Sequence, residues 1–174
     1  MMSNNNRGNS DPKIWGPLLW GILYSIAQYG ERMNSITLNN FITIIPHILP
    51  CTKCQTNCCK IYEQYNMSRT DNMHFREWVW RLKTETDREV GKQNIPLDDF
   101  INKLNSDAEF TNIQLTMKFI DILKNTIPSC KCSNQAKKNH IHVFAYNLLE
   151  LSKNIPYLQT LQNQSDLIYS GLKN

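Results

Sequence analysis

The sequence predicts an all-α fold, a bundle of four or five helices followed by a C-terminal helical extension. Three observations support this prediction. Apolar residues recur every three or four positions along most of the chain, which is the spacing of one helix face. Alternating β-branched runs, the pattern of strands, are few. Only six of the 174 residues are glycine, which leaves few positions for the tight turns of a β fold.

The first half of the chain divides into a tail and four helices. Residues 1–10 are rich in Asn, Ser and Gly and are expected to form a disordered tail. Asp11 followed by Pro12 is a typical helix start, with a capping side chain and then a proline, and this first helix closes at Tyr29. The pattern then predicts helices over residues 37–48, from the following cysteine cluster to 65, and from 68 or 71 to 90, where Gly91 ends the last one.

The second half is predicted as a helical extension. Residues 95–100 read as a short capped helix or a loop, and a further helix runs from about 112 to 126. Two amphipathic helices follow, over residues 141–155 and 156–172. We therefore divide the chain into the tail, a core domain over residues 11–105 and an extension over residues 106–174.

Composition limits the classes of function. The formal net charge is +4, but the charges are scattered and form no Lys/Arg block, so nucleic-acid binding is not expected. The N-terminus is polar and shows no secretory signal, and no apolar run reaches the roughly 18 residues of a membrane span. We expect a soluble protein made in the cytosol. Six cysteines in that compartment favour catalytic or metal-binding roles over a disulfide scaffold.

Four of the six cysteines lie within nine positions, directly after Pro50. Cys51 and Cys54 should fall in or beside a first helical turn, where backbone N–H groups and the helix dipole favour the nucleophilic thiolate. Residues three apart share a helix face, so this pair can close and reopen a disulfide. Cys58 lies on the same face and Cys59 about 100° away. The motif alone leaves redox chemistry, a metal or cluster site, and inert packing open, and for Cys58 and Cys59 we expect buried reduced thiols.

A second pair, Cys130 and Cys132, follows a proline in a polar segment. With His140 and His142 it supplies the ligand types of zinc, but the spacing is not that of a zinc finger. The two histidines are interpreted as a polar helix start, and we predict no metal site. His47 and His74 are interpreted as surface or capping residues.

The chain resembles the FAD-linked sulfhydryl oxidases of the Erv/ALR family in four ordered pieces between about residues 12 and 100. The first is Trp15-Gly16-Pro17 with Trp20, Leu23 and Ala27, similar to the family's WGP opening. The second is Phe41 with Leu49-Pro50-Cys51-Thr52-Lys53-Cys54, similar to its proline-CxxC motif. The third and fourth are Arg69 with Phe75-Arg76-Glu77-Trp78, and residues 82–92, which resemble LHNxVNxxLGK.

The resemblance implies a helical bundle of the Erv/ALR type that binds FAD and oxidises protein dithiols. Cys51 would exchange disulfides with the substrate and Cys54 would face the flavin, with dioxygen as the acceptor and hydrogen peroxide as the product. Members of the family often carry a mobile second dithiol, and Cys130 and Cys132 are the candidates for this shuttle. The family also implies a homodimer. In its composition and its lack of a targeting signal, the chain most resembles the family members encoded by large cytoplasmic DNA viruses. This resemblance implies a location in the host cytoplasm or in the virion.

Several candidate cofactor-binding positions depart from the family pattern. Tyr24 stands where the family has His, and Lys83, Thr84 and Asp87 stand at positions of its HNxVN segment, whereas Lys92 matches its Gly-Lys pair. Two alternatives stay open: a zinc-binding structural or interaction module, and an inactive relative that serves as a dimeric scaffold. The candidate cofactor-binding residues are Trp20, Tyr24, Trp80, Lys83, Thr84, Asp87 and Lys92.

Overall fold

The structure, a computed structural model, describes residues 11–30, 33–65, 72–106, 109–126, 134–159 and 163. Within these ranges it contains α-helices and short 3-10 segments but no strand, so the all-α prediction is confirmed. None of the described helices combines the length and the apolar character needed to cross a membrane. The elements are α1 (Pro12–Tyr29), α2 (Ser35–Ile48), α3 (Thr52–Tyr65), α4 (Asn72–Glu89), α5 (Leu97–Leu104), α6 (Ile113–Asn125), α7 (Asn134–Ser152) and a 3-10 turn (Pro156–Leu158).

Local capping chemistry sets where the first helices begin. Asp11 caps α1, its side chain accepting the backbone N–H of Lys13 at 2.9 Å, and a proline occupies the first turn as the sequence predicts. Helix α2 begins two residues earlier than predicted because Asn34 caps it, accepting the N–H groups of Ile36 at 2.9 Å and Thr37 at 3.2 Å. The predicted start of α1 is therefore confirmed. The predicted start of α2 was two residues too late, because the capping role of Asn34 was not recognised.

The later boundaries bring three further results. The stretch left open between helix and loop is the helix α5. Helix α7 begins at Asn134 rather than at residue 141, so His140 and His142 lie inside the helix and not at its start. Its first turns are polar and lack the apolar periodicity on which the prediction depended. The predicted tail helix over residues 156–172 begins as the 3-10 turn, and the rest of it, apart from residue 163, lies outside the described residues.

Helices α2 and α7 pack side by side in antiparallel directions. Phe41 of α2 meets Phe144 of α7 with ring centroids 5.3 Å apart, and His47, further along α2, meets His140, earlier in α7, at 4.9 Å. Phe119 of α6 packs on Phe144 as well, at 5.9 Å. The helices of the predicted extension thus pack on the helices that precede them. The domain boundary after residue 105 stays a prediction.

Helix α1 is fixed against α4 and against the segment before α6. The buried Arg76 of α4 donates to the carbonyl oxygens of Ala27 at 2.9 Å and Gln28 at 3.2 Å, which are among the last carbonyls of α1. Such carbonyls have no partner within their own helix, so the guanidinium satisfies them. On the other side, a Cβ atom at Gly21 would lie 2.8 Å from the carbonyl oxygen of Phe110. These contacts hold α1 and α4 in the places from which they line a cleft.

Candidate active site

The first cysteine pair lies at the start of α3. Cys51 directly precedes the helix, Cys54 is its third residue, and the two form a disulfide with their Cα atoms 5.2 Å apart. The backbone N–H of Cys54 donates to the Sγ atom of Cys51 at 3.2 Å. Because an N–H group at a helix start favours negative charge, this contact would stabilise a thiolate on Cys51 once the disulfide is reduced.

The chain ahead of the pair is held in place by a side chain of α3. Gln55 donates from its Nε2 atom to the carbonyl oxygen of Leu49 at 2.8 Å and from its backbone N–H to that of Cys51 at 2.9 Å. Pro50, between Leu49 and Cys51 in the chain, is buried. It lies two residues before the first residue of α3, whereas the sequence suggested the first helical position. The cysteines nevertheless fall in and beside the first turn, as the sequence predicts.

A cleft of about 440 Å³ opens on the inner side of this disulfide. Helices α1 and α4 form its long walls, and Ile45, Leu49 and the first two turns of α3 close it. Cys54 lines the cleft, and Cys51 is not among the residues that line it. The two cysteines therefore differ in position, since only Cys54 belongs to the cleft wall.

Both acidic side chains in the cleft wall have a cationic partner. Asp87 forms an ion pair with Lys83, and the ammonium of Lys83 also lies 5.7 Å from the ring centroid of Trp20. Glu89 pairs with Lys53 of the CxxC motif, with 3.5 Å between Nζ and Oε2, and accepts a hydrogen bond from the side chain of Asn57. The cleft is thus mainly apolar, with its negative charges neutralised.

Residues 17–111 match the model of the Erv1 / Alr family. This match covers more than half of the chain. The chain belongs to the Erv1/Alr family. It is also similar to the protein named "Putative FAD-linked sulfhydryl oxidase 096R" of Invertebrate iridescent virus 3, with 39% identity over 49 residues, which is 26% of this chain and 33% of the relative. The chain therefore matches about a third of the length of this curated relative. No solved structure matches it.

The structure brings four of the seven candidate cofactor-binding residues of this Erv1/Alr chain to one cleft. Trp20, Lys83, Asp87 and Lys92 all line it together with Cys54. Lys92 is placed there by the turn that ends α4, in which Gly91 has φ of 70° and the N–H of Lys92 donates to the carbonyl of Asp87 at 2.8 Å. Residues from α1, α3 and α4 that the sequence separates by up to about seventy positions thus share one space.

Tyr24, Trp80 and Thr84 do not line this cleft. Tyr24 lies behind Trp20, with ring centroids 5.9 Å apart, and burial together with the charge of Asp87 raises the pKa of its hydroxyl. Trp80 donates from Nε1 to the carbonyl oxygen of Ile95 at 2.9 Å and so holds the loop after α4. Tyr24 thus supports the wall from behind, and any cofactor contact of Trp80 or Thr84 stays a prediction.

Cys58 is the buried free thiol that the sequence predicts, whereas Cys59 is also free but only half-buried. Cys58 lies one turn beyond Cys54, lines the same cleft and is 1% exposed, and burial together with the neighbouring Cys59 raises its pKa to about 12. Its thiol therefore stays protonated near neutral pH and does not compete with the redox pair. Lys13 of α1 and Glu89 of α4 also line the cleft. Helical spacing placed Cys58 on the face of Cys54, as predicted, whereas sequence reasoning missed Lys13 and Glu89, because their places follow from how the helices pack.

The second dithiol, Cys130 and Cys132, lies outside the described residues, as does the side chain of His74. His140 and His47 stack, and burial with the neighbouring His47 lowers the pKa of His140. Among the described residues no three His, Cys, Asp or Glu side chains come close enough to hold a metal ion.

The residues in the cleft fit the aromatic and phosphate parts of FAD. Gly16 lines the cleft, and a Cβ atom there would meet nothing within 4 Å, so space for a ligand remains along α1 beside Trp20. Lys13 and Lys92 line the same cleft, and neither forms an ion pair with a residue that the structure describes. A planar ring can pack on the apolar walls, and two cations suit an anionic group. The volume is also within the usual range for small-molecule sites.

Proposed function

We propose that this protein is an FAD-linked thiol oxidase that forms disulfides in protein substrates and uses dioxygen as the electron acceptor. The observation that carries the proposal is the position of Cys54. It forms a disulfide with Cys51 and lines a cleft that also contains Trp20 and Lys92. Membership of the Erv1/Alr family and similarity to a relative named as FAD-linked support it.

In this proposal Cys51 exchanges disulfides with the substrate. A substrate thiolate attacks the Sγ atom of Cys51, the Cys51–Cys54 bond breaks, and Cys54 leaves as a thiolate. The second substrate thiol then attacks the mixed disulfide, so that the substrate leaves oxidised and both cysteines are reduced. When bound, FAD supplies a two-electron acceptor that dioxygen can reoxidise. The overall reaction converts one dithiol and one dioxygen into one disulfide and one hydrogen peroxide.

The chain's own residues would hold the cofactor in two ways. Trp20, supported from behind by Tyr24, provides an aromatic surface in the cleft, and the Lys83–Asp87 pair offers a donor and an acceptor beside it. Lys92 and Lys13 supply positive charge for the diphosphate. Trp80 and Thr84 complete the proposed set, with a supporting role for Trp80 through its bond to the following loop.

Oxygen consumption with a model dithiol tests the proposal. We expect the purified protein to consume oxygen and produce hydrogen peroxide when dithiothreitol and FAD are supplied. Cys51→Ser and Cys54→Ser should each lower the rate by at least about a hundredfold because the exchanging disulfide is lost. Cys59→Ser is the matched control, since Cys59 lies on the same helix and is free, and it should retain the rate. A wild-type protein that consumes no oxygen would overturn the proposal.

We also propose that Cys130 and Cys132 shuttle disulfides between substrate and Cys51. The described residue nearest to them on the C-terminal side is Asn134, the first residue of α7. Because α2 and α7 are antiparallel and His47 meets His140, the start of α7 lies at the same end of the helix pair as the end of α2, which leads into Cys51. About six residues of helix, or roughly 9 Å, separate Asn134 from His140. This arrangement supports transfer within one chain.

The remaining parts of the proposal concern assembly and place. We propose a homodimer that acts on protein dithiols in the host cytoplasm or in the virion, on the basis of the family and of the viral relative. Sedimentation of the purified protein measures the assembly directly. A monomer at all concentrations would exclude the dimer without affecting the oxidase proposal.

A further inference from the structure

Lys53 is the charged residue between the two redox cysteines, and its side chain forms an ion pair with Glu89. Its Nζ atom lies 3.5 Å from Oε2 of Glu89, at the end of α4, and Oε1 of the same carboxylate accepts a hydrogen bond from Asn57 of α3. Glu89, Asn57 and Cys54 all line the cleft. A carboxylate from another helix therefore belongs to the cleft wall that contains Cys54, and it forms an ion pair with the lysine of the CxxC motif itself.

We propose that the Lys53–Glu89 ion pair sets the redox equilibrium of the Cys51–Cys54 disulfide, with the two charges acting in opposite directions. Reduction by two thiols yields two cysteine thiols and one external disulfide, and the cysteine thiols release protons to the extent that thiolates are favoured. A negative charge nearby disfavours thiolates and so favours the protein disulfide, whereas a positive charge has the reverse effect. The inference deepens the proposed oxidase, because this equilibrium governs how readily the pair accepts electrons from a substrate.

Other charged groups lie on the helices around the Cys51–Cys54 pair. From α1 Lys13 lines the cleft, from α4 Lys83 and Asp87 pair with each other, and Lys92 lies beyond α4. From α2, His47 lies four residues before Cys51. Only the Lys53–Glu89 pair joins the CxxC motif to another helix among the ion pairs of the described residues. Lys53 is 73% exposed and Glu89 39%, so solvent screens the effect and it should be modest.

The test is the equilibrium of the Cys51–Cys54 pair with glutathione, measured without oxygen at slightly alkaline pH. Trapped thiols are counted by mass spectrometry on a peptide that holds both cysteines. We expect Lys53→Met to favour the disulfide and Glu89→Gln to favour the dithiol, each changing the equilibrium constant by about two- to fivefold, or about 10–20 mV. The double variant should return close to the wild type, since it removes both charges.

Matched variants separate this electrostatic role from a structural one. Glu85→Gln is the control, because Glu85 lies one turn earlier on α4, is similarly exposed, and pairs with Arg88 rather than with the CxxC motif. It should leave the equilibrium unchanged, and Lys53→Arg should behave as the wild type. If the pair only held α3 to α4, both single variants would shift the equilibrium in one direction. That result, or an equal shift in Glu85→Gln, would overturn the inference.

This experiment does not depend on the flavin. A protein that shows opposite shifts but consumes no oxygen would refute the proposed oxidase and retain the tuning of the disulfide. A protein that consumes oxygen but shows no opposite shifts would support the proposed oxidase and refute the tuning of the disulfide by Lys53 and Glu89.

Discussion

Gly21 shows how closely a single residue can determine the packing around the site. It lies on the face of α1 that meets the segment before α6, and a Cβ atom there would be 2.8 Å from the carbonyl oxygen of Phe110 and 3.1 Å from the Cβ of Thr111. A backbone oxygen cannot move aside as a flexible side chain can. Gly16, five residues earlier on the same helix, has no atom within 4 Å of the corresponding position.

We therefore expect Gly21→Ala to lower the free energy of unfolding by about 2 kcal/mol, as is usual for overpacking. Gly16→Ala should change it by less than about 1 kcal/mol, because the gain in helix propensity is opposed by the following Pro17. Denaturant unfolding of the two variants and the wild type checks this. Equal stability of the two variants would contradict the close approach of α1 and the segment before α6.

Among the helices, α7 bears most directly on the proposed shuttle, because its first residue follows the second dithiol closely in the chain. The contacts of Phe41 with Phe144 and of His47 with His140 fix α7 antiparallel to α2. The start of α7 is therefore at the end of the bundle where α2 leads into the redox pair. In the proposed shuttle, the dithiol that precedes α7 in the chain would be tethered near Cys51, and tethering would raise its effective concentration there.

This arrangement makes a prediction for Cys130→Ser/Cys132→Ser. The double variant should oxidise dithiothreitol within about twofold of the wild-type rate, because a small dithiol reaches Cys51 without help. Oxidation of a reduced protein substrate should fall by about tenfold, since the tethered exchange partner is lost. Oxygen uptake with each substrate provides the comparison. Equal losses with both substrates, or no loss with the protein, would contradict a shuttle.

At the scale of the whole molecule, sequence patterns predicted what depends on neighbours along the chain. The all-helical fold, the cap of α1 by Asp11 and the placing of Cys51 and Cys54 at a helix start all follow from local chemistry and were predicted. The start of α7 was not, because its first turns lack an apolar face. A cap or a proline marks a helix start in the sequence, whereas a helix that begins with polar turns has no such apolar pattern to mark its start.

Contacts that depend on packing between helices could not be predicted from sequence patterns. Trp80 and Trp20 look alike in a helical pattern, yet Trp20 lines the cleft and Trp80 bonds to the loop after α4. The Lys53–Glu89 pair spans 36 positions, and no periodicity connects its two residues. Crossing angles and distances between helices decide such contacts, and these depend on the whole set of core side chains.

The visible spectrum of the purified protein through one cycle of reduction and reoxidation shows whether the Cys51–Cys54 pair passes electrons to a bound flavin. We predict a flavin spectrum that bleaches when a dithiol is added without oxygen and returns when air is admitted. Cys54→Ser should keep the colour and lose the bleaching, because the flavin pocket remains while the cysteine that lines it is gone. A protein without flavin absorbance after incubation with FAD, or a Cys54→Ser variant that still bleaches like the wild type, would exclude electron transfer from Cys54 to FAD.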